Sequence, residues 1–369
     1  MAAHFHSLRV NKIIKETADC VSVCFDVPSE LIHTFTFKEG QNITLRKTIN
    51  GDEIRRSYSL CVAPYENILK VAIKKVEAGV FSTYANEVLK EGDLLEVMPP
   101  TGRFSSKNKT GNYIGIAAGS GITPILSIIK HLLQTQAESK FTLIYGNKNR
   151  GSIIFFEEIE ALKNKFIQRF NCINILSRER TDATINYGRI DTAKLETLQT
   201  LVHFKTFDDA YLCGPEEMIL ASSTFLEKEG LAKSNIHFEL FGTSVGKGQL
   251  AVGSASHNFA GAEGRGQKVV DSGQVAKSSI TVKLDGRSYD FELGYKDGNI
   301  LDAAMQQLID LPYACKGGVC CTCRAKLIEG KVHMDVNYAL EDDEVEQGFI
   351  LTCQSHPLTN RVVLDFDVK

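Results

Sequence analysis

Four cysteines in this 369-residue chain have a spacing that could hold iron. Cys315, Cys320 and Cys323 follow the pattern C-x4-C-x2-C, and Cys353 lies thirty positions after Cys323. A 2Fe–2S cluster needs four thiolates, two on each iron, and this is a spacing that supplies them. Gly317 and Gly318 let the loop approach closely and aim backbone N–H groups at sulfur. Those donors stabilise the reduced, more negative cluster. Zinc is the competing occupant, but its structural sites usually pair their cysteines in C-x2-C knuckles. Cys321 falls between the ligands and by spacing is not one of them. It reads as a spare thiol.

A second group suits a flavin. Arg56-Ser57-Tyr58-Ser59 offers a guanidinium fork for a diphosphate. It also offers a ring that can pack on an isoalloxazine and a hydroxyl that can hydrogen-bond flavin N5. The four residues match the R-x-Y-S motif of the ferredoxin–NADP reductase family. The resemblance extends to Gly40-Gln41 upstream and to 79–82, Gly-Val-Phe-Ser, downstream. It implies that Arg56, Tyr58 and Ser59 hold the flavin, with Ser59 a catalytic candidate. It also implies that Gly79 and Ser82 sit at the pyrophosphate, on a helix N-terminus that favours anions. That second phosphate site favours FAD over FMN.

A third group suits a pyridine nucleotide. Gly119-Ser-Gly121-Ile-Thr123-Pro124 follows an apolar run and opens a helical one. The third glycine of the dinucleotide fingerprint is replaced by Pro124. Thr123 is expected as the helix N-cap and Pro124 as the first helical residue. In the reductase family this turn contacts the nucleotide near the nicotinamide, so Gly119, Gly121 and Thr123 are binding candidates. Cys213-Gly214-Pro215 resembles the family's second nucleotide motif, which places Cys213 near the nicotinamide C4 as a second catalytic candidate. A buried structural thiol is the alternative. Ser177-Arg178 lies where NADPH-preferring members hold the 2′-phosphate, and a hydroxyl with an Arg fork suits that dianion. Glu179 follows at once, and an acidic residue there is the NADH signature. NADPH is favoured, with NADH the alternative. Phe241, at the end of His237-Phe-Glu239-Leu-Phe241, is a candidate to lie over the flavin, with Glu239 a polar neighbour. A last core strand is the other reading of that segment.

Electron arithmetic links the three groups. A nicotinamide gives two electrons as one hydride, a 2Fe–2S cluster takes one at a time, and a flavin can mediate between them. The implied path is NADPH to FAD to 2Fe–2S to an outside redox protein. The order of modules resembles the reductase subunits of bacterial aromatic oxygenases, and that resemblance covers essentially the whole chain. It implies an oxygenase as acceptor. A Rieske dioxygenase, a desaturase or a hybrid-cluster protein are alternatives. A redox sensor without turnover is a third class. Complete flavin and nucleotide motifs argue against it, and no stretch remains for an effector domain.

These groups need elements to position them. Residues 1–108 contain short alternating stretches punctuated by Gly and Pro, as in an antiparallel β-barrel; this is the expected FAD domain. Residues 109–242 alternate short apolar runs with helical stretches, the signature of a parallel α/β sheet; this is the expected NAD(P) domain. Residues 243–277 are rich in Gly, Ser and Ala, a flexible-linker composition. Residues 278–369 resemble a plant-type ferredoxin domain, which implies an α+β (β-grasp) fold. From 279 to 369 there are 9 Lys and Arg against 15 Asp and Glu, a net of −6, whereas the rest holds 33 against 30, a net of +3. An acidic carrier on a mildly basic body suits charge-steered docking. The overall net charge of −3 does not suggest nucleic-acid binding. The N-terminus has no apolar stretch of signal-peptide length. The longest uncharged run, 113–129, is broken by Gly119, Gly121 and Pro124, so no membrane span is expected. A cytoplasmic protein with reduced or metal-bound thiols follows as the expectation.

Overall fold

The computed structural model describes residues 4–107, 109–241, 277–295 and 297–368. The expected linker lies outside the described residues, except for Lys277, which opens a strand. The chain forms two bodies, one of them Phe5–Phe241 and the other C-terminal.

The first body begins with six antiparallel strands: β1 (His6–Thr17), β2 (Cys20–Asp26), β3 (Asn42–Ile49), β4 (Asp52–Ser59), β5 (Leu69–Lys74) and β6 (Leu94–Thr101). Their order is β4-β3-β6-β1-β2-β5. An antiparallel bridge from Leu60 to Val71 joins the two edges and closes the barrel. Alternation sets which side chains face inward. On β2, Val21, Val23 and Phe25 enter a core with Leu8, Ile43, Leu45 and Val97. Helix α1 (Val80–Glu87) plugs this core with Phe81 and Ala85.

Five parallel strands follow: β7 (Asn112–Ala118), β8 (Lys140–Asn147), β9 (Phe170–Leu176), β10 (Asp209–Gly214) and β11 (Ile236–Leu240). They are joined through α2 (Ile122–Thr135), α3 (Phe156–Lys165), α4 (Thr192–Leu198) and α5 (Glu216–Lys228). The order β11-β10-β7-β8-β9 reverses direction between β7 and β10. Ligands bind at such a switch point, outside the carboxyl ends of the strands. After their polar first residues, Asn112 and Asp209, the runs at β7 and β10 are apolar because both faces of a parallel sheet are covered. Helix α2 is buried along nearly its whole length.

The second body is a mixed sheet of β12 (Lys277–Leu284), β13 (Arg287–Gly294), β14 (Arg324–Glu329), β16 (Phe349–Leu351) and β18 (Arg361–Asp365), in the order β13-β12-β18-β14-β16. A small pair, β15 (Val332–Met334) and β17 (Ser355–Pro357), stands beside it. Helix α6 (Ile300–Gln306) packs Ile300, Leu301 and Ala304 into the sheet's core, and α7 (Asp342–Glu346) adds Val345. A helix packed across a mixed sheet is the β-grasp arrangement.

Candidate functional site

The barrel and the parallel sheet meet at Ser59. This residue ends β4 and pairs with Asn42 on β3. Its hydroxyl donates to Glu239 Oε2 at 2.9 Å. Glu239 on β11 lies in register with Cys213 on β10. Burial pushes the Glu239 carboxyl up to about 7, against the opposing hydrogen bonds from Ser59 and Asn42. Asn42 Oδ1 is a buried acceptor with no partner among the described residues. Cys213 is fully buried, and burial, followed by the Glu239 charge, holds its thiol well above the ordinary range. Its sulfur therefore faces no open space in this structure.

Three residues upstream of Ser59, Arg56 stands on the same strand. Arg56 is exposed, and its Nη1 donates to the Arg55 carbonyl at 2.7 Å. Tyr58 is half-buried with its ring 5.8 Å from that of Phe81. Gly79 caps α1. The Ser82 hydroxyl accepts from the Val76 N–H at 3.2 Å and donates to the Gly79 carbonyl at 3.1 Å. Its hydroxyl is thus committed to the turn. The donors left for an anion are the first-turn N–H groups of α1, which have no intrahelical acceptor.

The nucleotide turn is a 3-10 turn, Gly119–Gly121, between β7 and α2. Gly119 takes φ +55, and an added Cβ there would meet only Lys74 Nζ, at 3.7 Å. A Cβ on Gly121 would lie 2.0 Å from the Cys213 carbonyl oxygen. Only glycine lets the two turns press together. The N-cap is Gly121, which corrects the expected cap at Thr123. The 3-10 turn starts the helix early, so Thr123 falls inside its first turn and donates its hydroxyl to the Ser120 carbonyl at 3.1 Å. Beyond β9, Ser177 is half-buried and Arg178 exposed. The Ser177 hydroxyl donates to the Asn147 carbonyl at 3.3 Å. Glu179 Oε2 accepts the Arg150 N–H at 2.8 Å. Phe241 follows β11 and is 44% exposed. Glu239 as a hydrogen-bonded partner of Ser59 and Lys74 beside Gly119 carry no sequence motif of their own. Lys74 enters only through the fold, whereas Glu239 is already a candidate neighbour in the sequence and the fold adds its bond to Ser59.

In the second body the four spaced cysteines converge. Cys315 and Cys320 sulfurs lie 3.2 Å apart, and Cys323 and Cys353 hydrogen-bond each other. Hydrogen bonds from Cys320 and Cys353, with the Gly317 and Val319 N–H groups, hold the Cys315 thiol far below its ordinary range. Gln354 Nε2 approaches Cys353 Sγ at 3.5 Å. Cys321 points elsewhere and donates to the Ala339 carbonyl at 3.0 Å.

Comparison with known proteins bears on all three sites. The sequence matches an oxidoreductase FAD-binding domain over 7–106, an oxidoreductase NAD-binding domain over 116–224 and a 2Fe-2S iron-sulfur cluster binding domain over 282–358. It is 43% identical to the E subunit of 1,2-phenylacetyl-CoA epoxidase from Escherichia coli (strain K12), across 99% of this chain and 98% of that one. The chain belongs to the ferredoxin–NADP reductase family, in the group with a C-terminal ferredoxin domain. A second member, the ferredoxin reductase component of 3-ketosteroid-9-alpha-monooxygenase from Rhodococcus rhodochrous, is 30% identical over 97% of this chain and 96% of its own length. Phthalate dioxygenase reductase shares the fold, with a TM-score of 0.58, 22% identity and 98% coverage of both chains.

Like these reductases, the chain is an NAD(P)H oxidoreductase that carries electrons through FAD to a 2Fe–2S cluster. Its residues fit those groups. Four reduced sulfurs in two close pairs suit two irons, and the 2Fe-2S domain match over 282–358 decides against zinc. The orphaned Asn42 acceptor beside Ser59 suits a ring carrying N–H donors. The open backbone at Gly119, with a Lys74 ammonium beside it, suits a pyrophosphate. Among the described residues, no helix is long and apolar enough to cross a membrane.

Proposed function

We propose that this reductase feeds the oxygenase component of a phenylacetyl-CoA epoxidase. The identity of 43% with the E. coli epoxidase chain, sustained over both whole sequences, carries this reading. Bound FAD would supply a centre that accepts a hydride and releases electrons one at a time, and the residues below would hold it. Arg56 and the first turn of α1, entered through Gly79 and Ser82, neutralise its phosphates. Tyr58 packs the ring, and Ser59 Oγ meets its N5 edge. Glu239 Oε2 holds an exchangeable proton near neutrality, with Ser59 Oγ its relay to that edge. Gly119, Gly121 and Thr123 receive the nucleotide, Cys213 backs the site and Phe241 covers it. Cys315, Cys320, Cys323 and Cys353 ligate the iron.

NADPH is the donor in this reading. Arg178 is exposed and available for a 2′-phosphate, whereas the Glu179 carboxylate is occupied by the Arg150 N–H. The cytoplasm is the proposed location, supported by ten free thiols in a protein that needs four of them reduced. The test is reconstitution. Purified reductase, the oxygenase subunits of a phenylacetyl-CoA epoxidase and NADPH should consume phenylacetyl-CoA. No consumption, with brisk electron delivery to a Rieske oxygenase instead, would assign a different acceptor.

A further inference from the structure

A charge network built around one buried lysine joins the barrel to the parallel sheet. Its centre is Lys130 on α2, whose side chain is only 4% exposed. The ammonium lies 3.2 Å from each oxygen of Glu66, which belongs to the barrel's 64–66 turn. It also pairs with Glu158 on α3 and donates to the Cys61 carbonyl at 3.4 Å. Lys70 on β5 reaches the same Glu158 at 3.7 Å and stands 5.1 Å from the centre of the Phe155 ring. Phe155 sits at φ +62, a conformation costly for an aromatic residue and found where surroundings over-determine the backbone. Two cations and two anions thus alternate across the seam: Lys70 and Glu66 from the barrel, Lys130 and Glu158 from the nucleotide domain.

The seam continues along α2. One turn earlier, the Ser127 hydroxyl donates to the Val62 carbonyl at 2.6 Å and accepts the Gly40 N–H at 3.1 Å. The Tyr65 hydroxyl donates to the Lys130 carbonyl at 3.4 Å. Helix α2 therefore grips residues 61–66, the segment that continues directly from Ser59. The N-terminal end of α2 carries the nucleotide turn at Gly121, about 14 Å from Lys130 at 1.5 Å per residue. One rigid helix grips the segment after Ser59 along its middle and carries the nucleotide turn at its N-terminus.

We propose that Lys130, Glu66, Glu158 and Lys70 form an interdomain clamp that sets the distance and angle of the nicotinamide against the flavin. Lys130 is a positioning residue in this account, which rests on the flavin and nucleotide assignments made above. Buried ion pairs gain little net stability, because desolvation offsets their attraction, and fixing register is their best-attested use. Hydride transfer is sensitive to register, since a 1 Å misplacement can cost roughly 100-fold in rate.

The test uses the full-length, FAD- and cluster-loaded protein, mixed anaerobically with NADPH. Glu66→Gln keeps the shape, and Glu158 still pairs the buried ammonium, so this variant should fold. The expected result is unchanged FAD content, flavin reduction at saturating NADPH slowed about tenfold, and less of the long-wavelength absorbance of a stacked nicotinamide–flavin pair. The half-saturating NADPH concentration should move less than about twofold, because no nucleotide ligand is touched. Lys130→Met should act in the same direction, and the double variant should be no slower than Lys130→Met alone, since both remove one interaction. Lower thermal stability with rate and absorbance unchanged in Glu66→Gln would overturn the proposal, as would losses that multiply in the double variant. A wild-type protein whose flavin NADPH does not reduce would instead refute the underlying functional reading.

Discussion

Gly121→Ala is the sharpest perturbation of the nucleotide site. The new Cβ would lie 2.0 Å from the Cys213 carbonyl oxygen, 2.5 Å from its carbon and 3.0 Å from the Gly214 nitrogen. All three are backbone atoms, so no side chain can swing aside. Real Cβ contacts do not fall under 3.0 Å, so the two turns must part by at least ~1 Å, in an interior too tightly packed to absorb it. Overpacking of this kind costs about 1–3 kcal/mol of stability. The larger effect falls on hydride transfer, where a 1 Å error costs roughly 100-fold, equivalent to ~2.7 kcal/mol in the barrier. The assay is anaerobic stopped-flow bleaching of the flavin by NADPH, with photoreduction as a control that bypasses the nucleotide. The variant should keep its FAD and cluster, photoreduce normally and react with NADPH about 100 times more slowly. Bleaching by NADPH within about twofold of wild type would refute the claim that these two turns frame the nicotinamide.

Three further outcomes are expected. Cys353→Ser should lose the 2Fe–2S absorbance while NADPH still bleaches the flavin, whereas Cys321→Ser should keep the cluster, because the Cys321 thiol donates to the Ala339 carbonyl instead. Glu239 has its carboxyl raised to about 7, so the protonated form dominates below that pH and is lost above it. Proton-dependent flavin turnover should fall as pH rises through about 7, and Glu239→Gln should flatten that profile. The sign for stability is the same: the folded state holds this proton longer than the unfolded chain, so stability declines as pH climbs from the ordinary carboxyl range toward 7. Arg178→Ala should raise the KM for NADPH by about 10- to 100-fold, the worth of a charged hydrogen bond, and leave NADH turnover unchanged; equal effects on both would exclude a 2′-phosphate contact.

Legibility in the sequence followed locality. The cluster cysteines, the R-x-Y-S stretch and the glycine turn are contiguous, so their spacing alone carries their chemistry. The helical stretches expected between 109 and 242 are readable because their pattern is local, and one of them is Phe156–Lys165. Thr123 misled because its type and its neighbour Pro124 both favour a cap, while the preceding 3-10 turn, set by Gly119 at φ +55, moved the helix start back. Barrel closure through Leu60 and Val71 depends on curvature accumulated over six strands, which no short window contains. Glu239 meets Ser59 across 180 positions, and Glu66 meets Lys130 across 64. The partner of each carboxylate becomes legible only when the fold brings the two distant segments together.

Electrons pass from NADPH to the flavin and only then to the cluster. One equivalent of NADPH, mixed anaerobically with the complete reductase, should bleach the flavin first. The reduced 2Fe–2S signal in electron paramagnetic resonance should then rise as flavin absorbance partly returns. A variant lacking Cys353 should show the first phase without the second. Cluster reduction that precedes flavin bleaching, or that persists at full rate in protein stripped of FAD, would contradict the account.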